Sequence, residues 1–94
     1  MNNRKKRDNK LYATTRKQAY ERDNGLCVIC GSMATQCHHI IFSSQGGLSD
    51  LRNLACLCTD CHYQAHGVFA KEIRLNLLKE VEERTDKYER INNV

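Results

Sequence analysis

Two Cys-x-x-Cys pairs, Cys27-Val-Ile-Cys30 and Cys58-Thr-Asp-Cys61, stand 27 residues apart in a chain of only 94. Four thiolates in two such pairs can close a tetrahedral site around a zinc ion with no position left open, which is the pattern of a structural metal. A chain this short buries too little apolar surface to be secure on its core alone, so a clasp is expected. Structural zinc sites contribute apparent binding energies of about 10–16 kcal/mol, more than so small a core supplies. The competing reading, a redox dithiol, needs a C-x-x-C near a βαβ pattern that this sequence does not offer. Cys37 and Cys56 fall outside the pairs, beside apolar or strand-forming residues, and read as small buried hydrophobes.

The opening MNNRKKRDNK has no apolar run behind its basic residues, and no apolar stretch approaches the roughly 18 residues of a membrane span. A cytoplasmic protein with no membrane partner is expected, in a compartment where thiols stay reduced and metal is favoured over disulfides. The net charge of +4 is unevenly spread. Residues 1–25 carry eight Lys or Arg against Asp8, Glu21 and Asp23, while the rest of the chain is close to neutral. Arg4, Lys5, Lys6, Arg7 and Lys10, followed by Arg16 and Lys17, form a footprint that attracts a phosphate backbone. A solvated tail kept for solubility is the alternative.

The same composition predicts a basic, disordered arm over residues 1–13, polar and with little to bury. A core over 14–67 follows. Thr15 and Gln18 match a capping box for a helix over about 15–24, stopped by Asn24-Gly25. Two short strands fit at about Thr35–Ile41 and Leu54–Leu57, joined by the turn-rich SSQGGLSDLRN, and Thr59 can cap a helix running through His62 and His66. Over 68–94 the recurrence of Phe69, Ile73, Leu77 and Val81 predicts an amphipathic C-terminal helix, packed on the core or used in a homodimer. The fold class is a small α+β domain.

All four histidines lie between positions 38 and 66, two of them between the cysteine pairs and two directly after the second pair. His62 and His66 are four apart and share one helix face. Two helical imidazoles can chelate a metal, and a strand histidine can complete a three-ligand site with positions open for water and phosphate. His38 and His39 are adjacent, so a regular strand would point them to opposite faces.

Taken in order, Cys27-x-x-Cys30, His38-His39-Ile40-Ile41, Gly46-Gly47, Asp50, Asn53-Leu54 and Leu57-Cys58-x-x-Cys61-His62-x-x-x-His66 resemble the HNH nucleases in their zinc-containing form, common in phage-type and mobile-element proteins. The resemblance covers about residues 16–67. It implies a ββα-metal finger with a structural four-cysteine zinc knuckle (Cys27, Cys30, Cys58, Cys61) and flanking N- and C-terminal helices, acting as a DNA endonuclease. His39 matches the general base that takes a proton from water. His38 and His62 match ligands of a catalytic divalent metal, and His66 resembles the further helical ligand of the DNase colicins. Asn53 matches the middle letter of the motif, whose amide ties the loop between the strands and helps fix the base.

Neutral imidazole is available near neutral pH to activate water. The ion would act as a Lewis acid at the phosphate and the leaving 3′ oxygen, giving 5′-phosphate products. Such a site accepts Mn²⁺, Ni²⁺, Co²⁺ or Zn²⁺ more readily than Mg²⁺. The implied partners are DNA, held through its backbone and the basic arm, with phage packaging or host proteins in the host cytoplasm if the chain is phage-encoded. The rival is a non-catalytic zinc module binding DNA or protein.

Overall fold

The computed structural model describes residues 3–92, and within the first helix the side chains of residue 8 and of residues from 10 onward. Helix α1 spans Asn3–Arg22, strand β1 Gln36–His39, strand β2 Leu54–Leu57, helix α2 Thr59–Ala65 and helix α3 Ala70–Asn92. Two 3-10 turns, Ser43–Gln45 and Leu51–Asn53, interrupt the loop between the strands.

The sequence predicts an arm over 1–13 and a helix only from about Thr15; instead the chain is helical from Asn3. Residues 3–22 hold neither Gly nor Pro and are rich in Arg and Lys, both good helix formers. Tertiary contacts through Asp8 and Tyr12 then anchor the first turns. Thr15 is therefore mid-helix and caps nothing. Its hydroxyl lies 2.9 Å from the Leu11 carbonyl and 2.7 Å from that of Ser49. The helix does stop where Asn24-Gly25 demands it: both residues take positive φ, 56° and 70°. Gly25 N–H returns to the Tyr20 carbonyl and Asn24 N–H to that of Glu21, the Schellman arrangement.

β1 and β2 pair antiparallel with Cys37 opposite Cys56, His38 opposite Ala55 and His39 opposite Leu54. Every residue of β2 is buried, because helices cover both faces of the sheet. Alternation then divides the core in two. Leu54 and Cys56 join Ala19, Tyr12, Leu51 and Cys37 on the α1 face. Ala55 and Leu57 join Ile40, Cys61, Ala65, Leu77 and Val81 on the α2–α3 face. The apolar row of α3 packs there, with Leu77 and Val81 buried and Ile73 and Leu78 beside them, while Phe69 at its start stays exposed.

α2 is capped by Cys58, whose Sγ accepts from Cys61 N–H, and not by Thr59, the predicted cap. A thiol bound for a metal site can do both jobs at once. Thr59 opens the helix and pairs its hydroxyl with that of Thr35.

One buried ion pair ties the layers together. The Arg22 guanidinium forks onto the Asp23 carboxylate at 3.0 and 2.9 Å and also donates to the carbonyls of Leu51 and Leu54 and to the Thr85 hydroxyl. Asp23 further accepts from Cys56 N–H and from Arg84. Among the described residues, no buried side-chain polar atom lacks a partner. None of the described helices is long and apolar enough to cross a membrane.

Candidate functional site

The knuckle starts from a tight turn. Gly31 takes a φ of 79°, Gly31 N–H bonds the Cys27 carbonyl at 3.0 Å, and Cys27 N–H reaches Ser32 across it, so Cys27 and Cys30 face the start of α2. The Sγ atoms of Cys27, Cys30, Cys58 and Cys61 lie within 4.8 Å of one another. Cys30 and Cys58 stand 3.6 Å apart, close to the edge of about 3.8 Å that a tetrahedron with Zn–S bonds of about 2.3 Å requires. None of the six cysteines is in a disulfide. Hydrogen bonding to Ser32, and then to Cys58, draws the Cys30 thiol down to about 6, whereas burial and the neighbouring thiols push Cys61 up. Four clustered sulfurs cannot all ionise without a cation among them. These cysteines are positioned to hold a metal ion, and their donor set fits zinc.

A second cluster lies on the same side of the sheet. The alternation of β1 sends His38 to the α2 face, where it meets His62 and His66. Their ring centroids are 4.8–5.4 Å apart, and one ring nitrogen from each falls within 4.8 Å of the others. The Nε2 atoms of His62 and His66 are separated by 3.3 Å, again close to the roughly 3.4 Å edge of a tetrahedral site with metal–nitrogen bonds of about 2.1 Å. His66 is the C-terminal cap of α2, one residue past its last turn, and Phe42 stacks on its ring at 4.9 Å. His38 is buried, and burial, followed by the proximity of His62, His66 and His39, lowers its pKa to about 4.

That shift fixes a pH dependence. His38 binds a proton more readily in the unfolded chain than in the fold. Between its unfolded value of 6.5 and about 4, acidification therefore favours unfolding, and the contribution is complete above 6.5. In urea titrations of protein whose histidine cluster carries no metal, wild type should lose more stability than His38→Asn as pH falls through that window; parallel profiles would contradict the assignment.

His39 points the other way, toward α1. Its Nε2 lies 2.9 Å from Ser49 Oγ, and its ring packs against Tyr12 with centroids 5.2 Å apart. The strand does not bend to bring the two adjacent histidines together. Both nonetheless line one open cleft with Phe42, Ser43, His62 and His66.

Asn53 closes the loop behind them. Its Oδ1 accepts from Ile41 N–H at 2.7 Å, and its Nδ2 donates to the carbonyls of Ile41 and Leu48. The loop can pass this close only at Gly47, where an added Cβ would run into the Ile41 carbonyl and approach Asn53 Nδ2 to 3.0 Å. Gly47→Ala should therefore cost about 1–3 kcal/mol, read as a lower denaturant midpoint. An unchanged midpoint would show that the loop can yield.

Sequence reasoning missed Asp8, Tyr12 and Ser49, which surround His39 from the α1 side. The signal for Asp8 and Tyr12 is their spacing on a helix not expected to exist there, and Ser49, in the loop between the strands, has none.

A family model described as HNH endonuclease matches residues 27–67. Anaredoxin from Nostoc sp. is 33% identical over 52 residues, covering 53% of this chain and 68% of its own. The matched span holds both clusters, His39 and Asn53, and the chain belongs to the HNH endonuclease family.

Proposed function

We propose that the protein is a metal-dependent DNA endonuclease that hydrolyses phosphodiester bonds, with His39 activating the attacking water. The observation that supports this is the division of labour among imidazoles along one cleft: three converge, and the fourth is held apart from them. A purely structural metal site needs no separate histidine and no opening to solvent. Cys27, Cys30, Cys58 and Cys61 would hold a structural zinc. His38, His62 and His66 would hold a divalent ion from the group Mn²⁺, Ni²⁺, Co²⁺ or Zn²⁺, with Mg²⁺ a poorer match to an all-imidazole set. When bound, that ion supplies Lewis-acid stabilisation of charge on the phosphate and the leaving 3′ oxygen. His39 takes the proton as water attacks, which requires a neutral ring with a free lone pair directed into the cleft. Asn53 acts at one remove by pinning the loop that carries Ser49.

The basic run of the first 17 residues lies largely on α1, the helix that packs over the His39 face. That placement favours a duplex held by its phosphates. One cleft per chain means that cutting both strands takes two chains or two visits.

Plasmid nicking with Mn²⁺ or Ni²⁺ tests the reading. Wild type should nick, and His39→Ala should lose on the order of 10²–10⁴ in rate while retaining its helix content. If both proteins are folded and equally inert, the chain is a non-catalytic zinc module instead.

A further inference from the structure

His39 is held by a hydrogen-bond chain that begins outside the family-matched region. Asp8, on α1, accepts from Ser49 twice: Ser49 N–H to Oδ1 at 2.7 Å and Ser49 Oγ–H to Oδ2 at 3.0 Å. Ser49 is 1% exposed, and its carbonyl is bound by the Thr15 hydroxyl, two turns further along the same helix. The serine is thus clamped at its amide, its hydroxyl and its carbonyl.

Proton counting then fixes the state of the histidine. A serine hydroxyl has one proton, and a carboxylate can only accept. With that proton committed to Asp8, Ser49 Oγ can only accept from His39, so the Nε2 atom at 2.9 Å must carry the hydrogen. In a neutral imidazole the lone pair is then on Nδ1.

We propose that Asp8 and Ser49 are positioning residues that hold His39 in its Nε2–H tautomer, leaving Nδ1 as the atom that takes the proton from water. The catalytic half of this statement rests on the nuclease reading above; the tautomer half does not. Tyr12 supports the geometry by covering the ring from the same helix face, so rotation about the side chain is restricted as well. The logic parallels the aspartate of a serine-protease triad, which acts by fixing tautomer and orientation and not by gaining a proton.

Asp8→Asn is the informative variant because it keeps shape and reverses direction. Its amide oxygen can still accept from Ser49 N–H, while its NH₂ can donate to Ser49 Oγ. The serine proton is then released toward His39 Nε2, and the ring is driven to the Nδ1–H form. Imidazole ¹⁵N spectra of the whole protein as purified, recorded at a pH where histidines are neutral, should show His39 as Nε2–H in wild type and as Nδ1–H in Asp8→Asn. Nicking by Asp8→Asn should fall on the order of 10²-fold in kcat with little change in KM. Ser49→Ala, a second variant of similar volume, should give a mixture of tautomers and an intermediate loss.

A wild-type His39 found as Nδ1–H, or an Asp8→Asn protein with wild-type tautomer and rate, would overturn the proposal. If wild type proves folded but inert while the tautomer still reverses in Asp8→Asn, the nuclease reading falls and the hydrogen-bond chain stands.

Discussion

Cys58→Ser should leave the protein largely unfolded, with the helical circular dichroism signal lost and less than one zinc retained per chain. Cys58 contributes in two ways: its sulfur lies 3.6 Å from that of Cys30, and it caps α2 by accepting from Cys61 N–H. The cap is kept in this variant, because a serine hydroxyl accepts at an N-cap as a thiol does. The metal term decides the outcome. An apparent zinc affinity of about 10–16 kcal/mol is as large as the whole stability of a typical domain, about 5–15 kcal/mol. The fold has little to set against that loss, since the core on the α2–α3 face is built from Cys27, Cys61, Ala55 and Ala65 with four larger residues, Ile40, Leu57, Leu77 and Val81. Chelation of the wild type should reproduce the effect, and zinc should reverse it. Cys37→Ser is the control: Cys37 faces Cys56 across the strands, outside the cluster, and its variant should keep one zinc and a folded signal. A folded, zinc-free Cys58→Ser protein would show that the core suffices without its clasp.

The residues that gather in the two clusters were legible because ligand-type side chains recur at short, regular spacings. C-x-x-C and an i, i+4 histidine pair are short-range patterns, and their partners 27 residues away are found by matching type. β2 was legible to the residue, because an apolar run this short between turn signals is too brief for a helix. The tension at His38 and His39 was legible too, and its resolution followed from strand alternation: opposite faces, one cleft edge. What the sequence hid was the N-terminal half of α1 and the way the whole helix docks. Asp8, Tyr12, Thr15, Ala19 and Arg22 recur at spacings of four and three and form the inward stripe of that helix. The stripe holds only one large apolar-bodied residue, so hydrophobic periodicity is silent there, and Asp8 in a basic run looks like charge dilution. Its docking rests on hydrogen bonds, which depend on where Ser49 and Leu51 arrive in three dimensions. No local pattern encodes that arrival.

Arg22→Met should destabilise the domain by about 3–5 kcal/mol, the range for removing one partner of a buried pair. The Arg22 and Asp23 side chains are 1% and 0% exposed, so the loss leaves a carboxylate sealed from water. Arg84 at 3.3 Å and Cys56 N–H at 3.4 Å remain to it, which keeps the cost from rising higher. Adding Asp23→Leu should recover only part of the loss. A pair that merely offset its own desolvation could be replaced by apolar residues at no cost, but Arg22 also satisfies the Leu51 and Leu54 carbonyls at 2.8 and 2.6 Å. Those carbonyls flank Asn53, the residue that pins the loop carrying Ser49. Loosening them should disturb the His39 side of the cleft more than the cysteine cluster, so the single variant should keep its zinc while losing denaturant midpoint and protection of the Ser49–Leu54 amides from hydrogen exchange. Full recovery in the double variant would mean that the arginine serves the aspartate alone, and that the loop is held by Asn53 and α1 without it.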